Sequence, residues 1–153
     1  MKYITNEQFL ELDQEVQKVF MLWWKPEIGD NIKTVDSKEM SNVFYYEKDE
    51  NTISYYDWLL ESDYEVKIES YNGNWQVVPL LTLHQLWDFI EDKTGYDLQL
   101  INIDGYCIAT LYKQQGEIAN RTKYVKNKLE CLFDLAVEIA KEEVENAEKN
   151  KMV

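Results

Sequence analysis

DLQLINIDGYCIATLYK, running from Asp97 to Lys113, is the stretch on which the fold turns. Asp104-Gly105 sits between two β-rich runs, the strongest short-range hairpin signal in the chain. A two-residue hairpin turn needs positive φ at its central residues, and Asp-Gly accepts that at low cost. Just upstream, Gly95 follows Asp92-Lys93-Thr94 and closes a helix as a left-handed cap would. That helix opens at Thr82, whose Thr-x-x-Gln with Gln85 reads as a capping box, and Leu83, Leu86, Trp87 and Ile90 form its inner stripe. Downstream, Val125, Leu129, Leu132, Ala136, Ile139 and Ala140 share one face of a helix expected from about Thr122 to Ala147, with residues 148–153 as a frayed end.

Toward the N-terminus, Thr5 and Gln8 form a second capping box. Phe9, Leu12, Val16, Val19, Phe20 and Trp23 then recur at helical spacing, which predicts one helix from Thr5 to Trp24. Lys25-Pro26 ends it. Trp23 and Trp24 cannot share a helix face, so Trp24 is expected to pack on the following loop. Asn31–Val35, Val43–Tyr46, Thr52–Tyr56, Glu65–Ser70 and Asn74–Val78 read as strands, with turns at Lys48–Asn51 and Asn72-Gly73, and with Asp57–Ser62 as a helical turn. Helix, strands, helix, hairpin, helix is the order of an α+β domain: a mainly antiparallel sheet with three helices packed on it, a single domain over 1–147. No strand-helix-strand alternation supports a doubly wound parallel sheet.

The 153 residues are 45% apolar and 29% charged, ordinary values for a globular chain. The formal net charge is -13. Residues 1–119 hold 22 acids and 9 lysines, whereas residues 120–153 balance. Such a field repels nucleic acid and anionic membranes and attracts basic proteins, although solubility alone can also require it. Apolar runs are too short to span a bilayer, and acids interrupt the N-terminus where a secretion signal would be apolar. The expectation is a cytoplasmic protein, in which Asn120-Arg121-Thr122 has no meaning as a glycosylation acceptor. Cys107 and Cys131 lie in apolar stretches and are expected reduced and buried.

Catalytic signatures are missing from the sequence. His84 is the one histidine, so any Cys-His or Ser-His pair would have to use it, and a first-turn position suits an exposed or capping residue as well. The spacing of Cys107, Cys131 and His84 fits no zinc motif. Glu91, Asp92, Asp97 and Asp104, or the turn Asp49-Glu50-Asn51, offer oxygen ligands but not the calcium-loop pattern. Glu138, Glu142, Glu143 and Glu145 read as a solvated helix face, since no partner pair of acids is present in the form that holds magnesium in all-α nucleotide pyrophosphohydrolases. No glycine-rich phosphate loop exists. Arg121, Lys123, Lys126 and Lys128 form the one basic cluster, and the rest of the field opposes direct nucleic-acid binding. The chain is therefore expected to be a non-enzyme without metal or cofactor.

VFYYEKDENTISYYDW, Val43 to Trp58, has six aromatics among acids. Alternation along a strand splits Tyr45 from Tyr46 and Tyr55 from Tyr56, which predicts a hairpin with one buried and one outward face. It also sets Val43 with Tyr45 on one side and Phe44 with Tyr46 on the other. Candidate binding residues are Tyr45, Tyr46, Glu47, Asp49, Glu50, Tyr55, Tyr56, Asp57 and Trp58. Tyr and Trp offer rigid contact area at low entropic cost, and the acids would steer a basic partner.

Three further segments, WWKPEIGD (23–30), VVPLLTLHQLWDFIEDKTG (77–95) and LFDLAVEIAKEEV (132–144), resemble small uncharacterised proteins of phages and prophages of low-GC Gram-positive bacteria. The resemblance implies a viral or prophage origin, and with it the host cell cytoplasm, but no activity. Together with the charge it points to an acidic protein-binding module acting on a basic host protein. One form is a nucleic-acid-mimicking (DNA mimic) inhibitor of a nuclease or defence protein. The alternatives are a small-ligand-binding or metal-dependent enzyme domain, or a structural phage component, and homo-oligomerisation stays open.

Overall fold

The computed structural model describes residues 2–35, 37, 39–57, 59–70, 74–121 and 127–152, with the side chains of 120 and 121 excepted. The fold class is α+β, with antiparallel sheets and helices. The chain divides into two compact units: residues 5–12 with 24–81, and residues 1–4 and 13–23 with 82–153.

The first of these opens with the short helix α1 (Asn6–Leu10), capped as the sequence predicts. Thr5 Oγ1 accepts from the Gln8 amide at 3.1 Å and Gln8 Oε1 accepts from the Thr5 amide at 2.8 Å. Five strands follow: β1 (Asn31–Thr34), β2 (Ser41–Glu47), β3 (Thr52–Asp57), β4 (Ser62–Lys67) and β5 (Val77–Pro79). They form one antiparallel sheet in the order β4-β3-β2-β1-β5. Pro79 lies in an edge strand, where a missing N–H costs no ladder bond. The helical turn expected over Asp57–Ser62 is instead the tight connection between β3 and β4, with Glu61 at φ 50°. The Asn72-Gly73 turn falls outside the described residues; Glu69 and Trp75 form an isolated antiparallel bridge, but β4 and β5 do not pair and lie at opposite edges of the sheet. Trp24 is buried, and its indole N–H donates to Asp30 Oδ2 at 3.0 Å. The same carboxylate accepts from the Glu27 amide, so Asp30 fastens the exit from the helical segment. Trp24 thus packs on the following loop, as its place beside Trp23 requires.

The second unit contains α2 (Gln14–Trp23), α3 (Leu83–Thr94), a three-stranded sheet of β6 (Asp97–Ile103), β7 (Tyr106–Tyr112) and β8 (Ile118–Arg121), and α4 (Lys128–Lys151). The single N-terminal helix expected over 5–24 is in fact α1 and α2, broken at residues 11–13. Asp13 is the physical reason: its carbonyl accepts the Gln17 amide and starts a new helix at a residue type that favours N-caps over helix interiors. The DG hairpin is as expected, with Asp104 at φ 52° and Gly105 at φ 81° joining β6 to β7 in full register from Ile103–Tyr106 to Asp97–Tyr112. Strand β8, which the sequence did not announce, returns through a turn at Gly116 (φ 81°). The last helix, expected from about Thr122, starts at Lys128 after the N-cap Asn127 and continues as α4 to Lys151, past residue 147; Lys123, Val125 and Lys126 lie outside the described residues.

The core of this unit is helical and aromatic. Leu132, Leu135, Ala136 and Ala140 on α4 and Leu86, Phe89 and Ile90 on α3 are fully or almost fully buried. Phe20 of α2 stacks on Phe89 with centroids 4.5 Å apart, and Trp23 meets the same ring edge-on at 5.2 Å. The Trp23 indole N–H then donates to Asp92 at 3.0 Å. Cys107 and Cys131 are buried and are not joined in a disulfide.

Candidate functional site

The aromatic-acidic stretch builds the β2-β3-β4 corner of the five-stranded sheet. Cross-strand pairs share a face. One face carries the rows Val43–Tyr55–Tyr64 and Tyr46–Ile53–Val66. Val43, Ile53 and Tyr55 are buried, and Tyr55 stacks on Tyr64 with centroids 5.9 Å apart. The opposite face carries Asn42–Tyr56–Asp63, Tyr45–Ser54–Glu65 and Glu47–Thr52–Lys67. Every member of these rows is half-buried or exposed, and Tyr45 is 53% exposed.

The split between Tyr45 and Tyr46, and between Tyr55 and Tyr56, is present. The pairing of Val43 with Tyr45 is not. The register slips between Val43 and Tyr45, so Phe44 is an extra residue in a β-bulge. One inserted residue breaks the period of two. Val43 and Tyr46 therefore face the core side, whereas Tyr45 joins Glu47 and Tyr56 outside. Phe44 itself stays 43% exposed.

The candidate residues have different placements. Tyr45 donates its hydroxyl to Glu47 Oε2 at 3.1 Å. That hydrogen bond, and then the charge of Glu47, raise the Tyr45 pKa above the ordinary tyrosine value. Glu47 also accepts from the Asp49 amide at 3.4 Å, and Tyr46 donates to Asn51 Oδ1 at 3.1 Å. Asp49 and Glu50 stand exposed in the four-residue turn, which Asn51 closes at φ 52°. Asp57 accepts the amides of Leu59 and Leu60 at 2.9 and 3.1 Å, so it fixes the β3-β4 turn. Tyr55 is 6% exposed and belongs to the core. Trp58 lies outside the described residues. The outward surface thus gathers Tyr45, Glu47 and Tyr56 from the sequence candidates and adds Asp63 and Glu65 of β4. Glu65 already opens the strand expected over Glu65–Ser70, and the period-2 alternation of residues 62–67 is the signal that extends it back to Asp63. At the end of the β3-β4 hairpin, Leu59 and Leu60 are also exposed, at 60% and 64%.

Charge follows the same division. Residues 5–12 and 24–81 carry fourteen acids and five lysines, a formal -9 of the chain's -13. The outward rows and the turn at 48–51 therefore sit in the more negative unit.

Residues elsewhere are less suggestive of chemistry. His84 is exposed on the first turn of α3, with Nε2 3.6 Å from Asp88 one turn on. Among the described residues no three His, Cys, Asp or Glu side chains are grouped as metal ligands. Within the second unit, a cavity of about 630 Å³ lies where α3 and α4 begin. No described helix is long and apolar enough to cross a membrane. No protein-family model, curated protein or solved structure matches the chain.

Proposed function

We propose that the protein is an acidic protein-binding module that engages a basic partner through the outward face of β2-β3-β4. The single observation that supports this most is the bulge at Phe44, which sets Tyr45 outside beside Glu47 and close to Tyr56, Asp63 and Glu65. Tyrosine alone is common on a sheet surface, so it is the company of the carboxylates that sets this face apart. Two tyrosines among carboxylates offer apolar ring area, hydroxyls for hydrogen bonds and a negative field. The field raises the encounter rate with a basic surface, and the rings hold the complex. A nuclease or DNA-binding protein of a bacterial host has such a surface, because its groove is built to receive phosphates. On this reading the carboxylates stand in for phosphate charge, and a phage or prophage origin for the chain would bring it together with such a partner inside a host cell.

The test is comparative capture from a lysate of a low-GC Gram-positive bacterium. Wild-type protein and a folded Tyr45→Ala/Tyr56→Ala variant are immobilised side by side. The expected outcome is a basic protein retained by the wild type and lost from the variant. If both surfaces retain the same proteins in equal amount, the outward face is not the binding site.

A further inference from the structure

The cavity at the start of α3 and α4 is unlike the rest of this acidic molecule. Leu83 and Trp87, one turn apart on α3, and Leu129 on α4 form its apolar wall, and all three are only half-buried. Lys2 and Lys128 stand at its rim with exposed side chains. Its other described members are His84, held toward Asp88, and the two N-cap residues Thr82 and Asn127. Among the described residues no Asp or Glu lines it. In a chain of net charge -13, a hollow whose described lining holds two lysines and no carboxylate is a local reversal of sign. The beginnings of two helices add their partial positive charge to that of the lysines. At about 630 Å³ the space falls within the range of small-molecule sites. Its apolar wall asks for a ring or hydrocarbon body, and its rim asks for one negative charge. A further depression, of about 360 Å³ beside Tyr96 and Lys113, includes Glu117 and offers no comparable aliphatic wall among its described residues.

We propose that this cavity is a binding site for a small amphipathic anion, an aromatic body carrying one carboxylate or sulfonate. The body lies against Leu83, Trp87 and Leu129, and the anion faces Lys2 and Lys128. The site is separate from the outward sheet face, which belongs to the other unit, so either reading can fail without the other.

Two probes with the same rings separate charge from hydrophobicity: 1-anilinonaphthalene-8-sulfonate and the uncharged N-phenyl-1-naphthylamine. Fluorescence titration of the native chain should show saturable, one-to-one binding of the sulfonate. The neutral probe should bind about tenfold more weakly, the equivalent of two rim charges. Lys2→Glu/Lys128→Glu should erase that preference while leaving the neutral probe unchanged. Leu129→Trp should fill the hollow and reduce both affinities. The lysine variant lies on exposed positions, so it tests the site even where the larger side chain disturbs the fold. Absence of saturable binding, equal affinity for the two probes in the wild type, or a preference that survives reversal of both lysines would overturn the proposal.

Discussion

Tyr45 shows how one hydrogen bond can mark a surface. Its hydroxyl donates to Glu47, and folding thereby favours the protonated phenol. The sign follows: the folded pKa is raised, so the pair stabilises below the ordinary tyrosine value, and that contribution is lost as pH rises through the raised one. The phenolate absorbance of Tyr45, taken as wild type minus Tyr45→Phe, should therefore appear above the ordinary tyrosine range. Glu47→Gln should move it back down, and an unmoved titration would mean that the Glu47 contact does not persist in solution. At the other decisive turn, Gly105 sits at φ 81° with no atom within 4 Å of the place a Cβ would take. The cost of Gly105→Ala is then purely conformational, about 1 kcal/mol in urea unfolding. A neutral result would say that the turn relaxes into another type.

At the scale of elements, burial ranks the helical positions. Leu132→Ala should destabilise by about 2 to 5 kcal/mol, since its side chain is fully enclosed. Leu22→Ala, at a 71% exposed position of α2, should change stability by about 0.5 kcal/mol or less. Thr82→Ala removes the capping oxygen from the Gln85 amide and should cost about 1 kcal/mol. Thermal or denaturant unfolding of the three variants checks the ranking. These elements were legible because their signals are local. A capping box, the Asp-Gly pair and a glycine C-cap each name a backbone conformation within a few residues. What sequence alone did not reveal depends on chain elsewhere. The bulge at Phe44 is a property of how β2 pairs with β3, and a period-2 pattern carries no mark of one inserted residue. Strand β8 is four residues long and exists by pairing with β7. The break at Asp13 was hidden because Leu12 and Val16 continue an apolar stripe across it, although Asp13 itself was a cap signal in plain view. Of the candidate site, the existence of an outward tyrosine face was legible, but Tyr55 in the core and Asp57 in the turn became distinguishable only with the register known.

For the whole molecule the governing quantity is charge and its unequal division, with -9 on residues 5–12 and 24–81. A field of that sign acts at a distance and is screened by salt, whereas ring contact acts only on docking. The two contributions should separate. Asp63→Asn/Glu65→Gln should chiefly lower the association rate with a basic partner and flatten its salt dependence. Tyr45→Ala should chiefly raise the dissociation rate. The most direct measurement is the dissociation constant of the captured partner for the wild type and for Tyr45→Ala/Tyr56→Ala, each shown to be folded by circular dichroism. The tyrosine changes should cost about 1 to 4 kcal/mol in binding free energy. Unchanged affinity in the folded double variant would contradict that, and would leave the outward tyrosines as sheet surface alone.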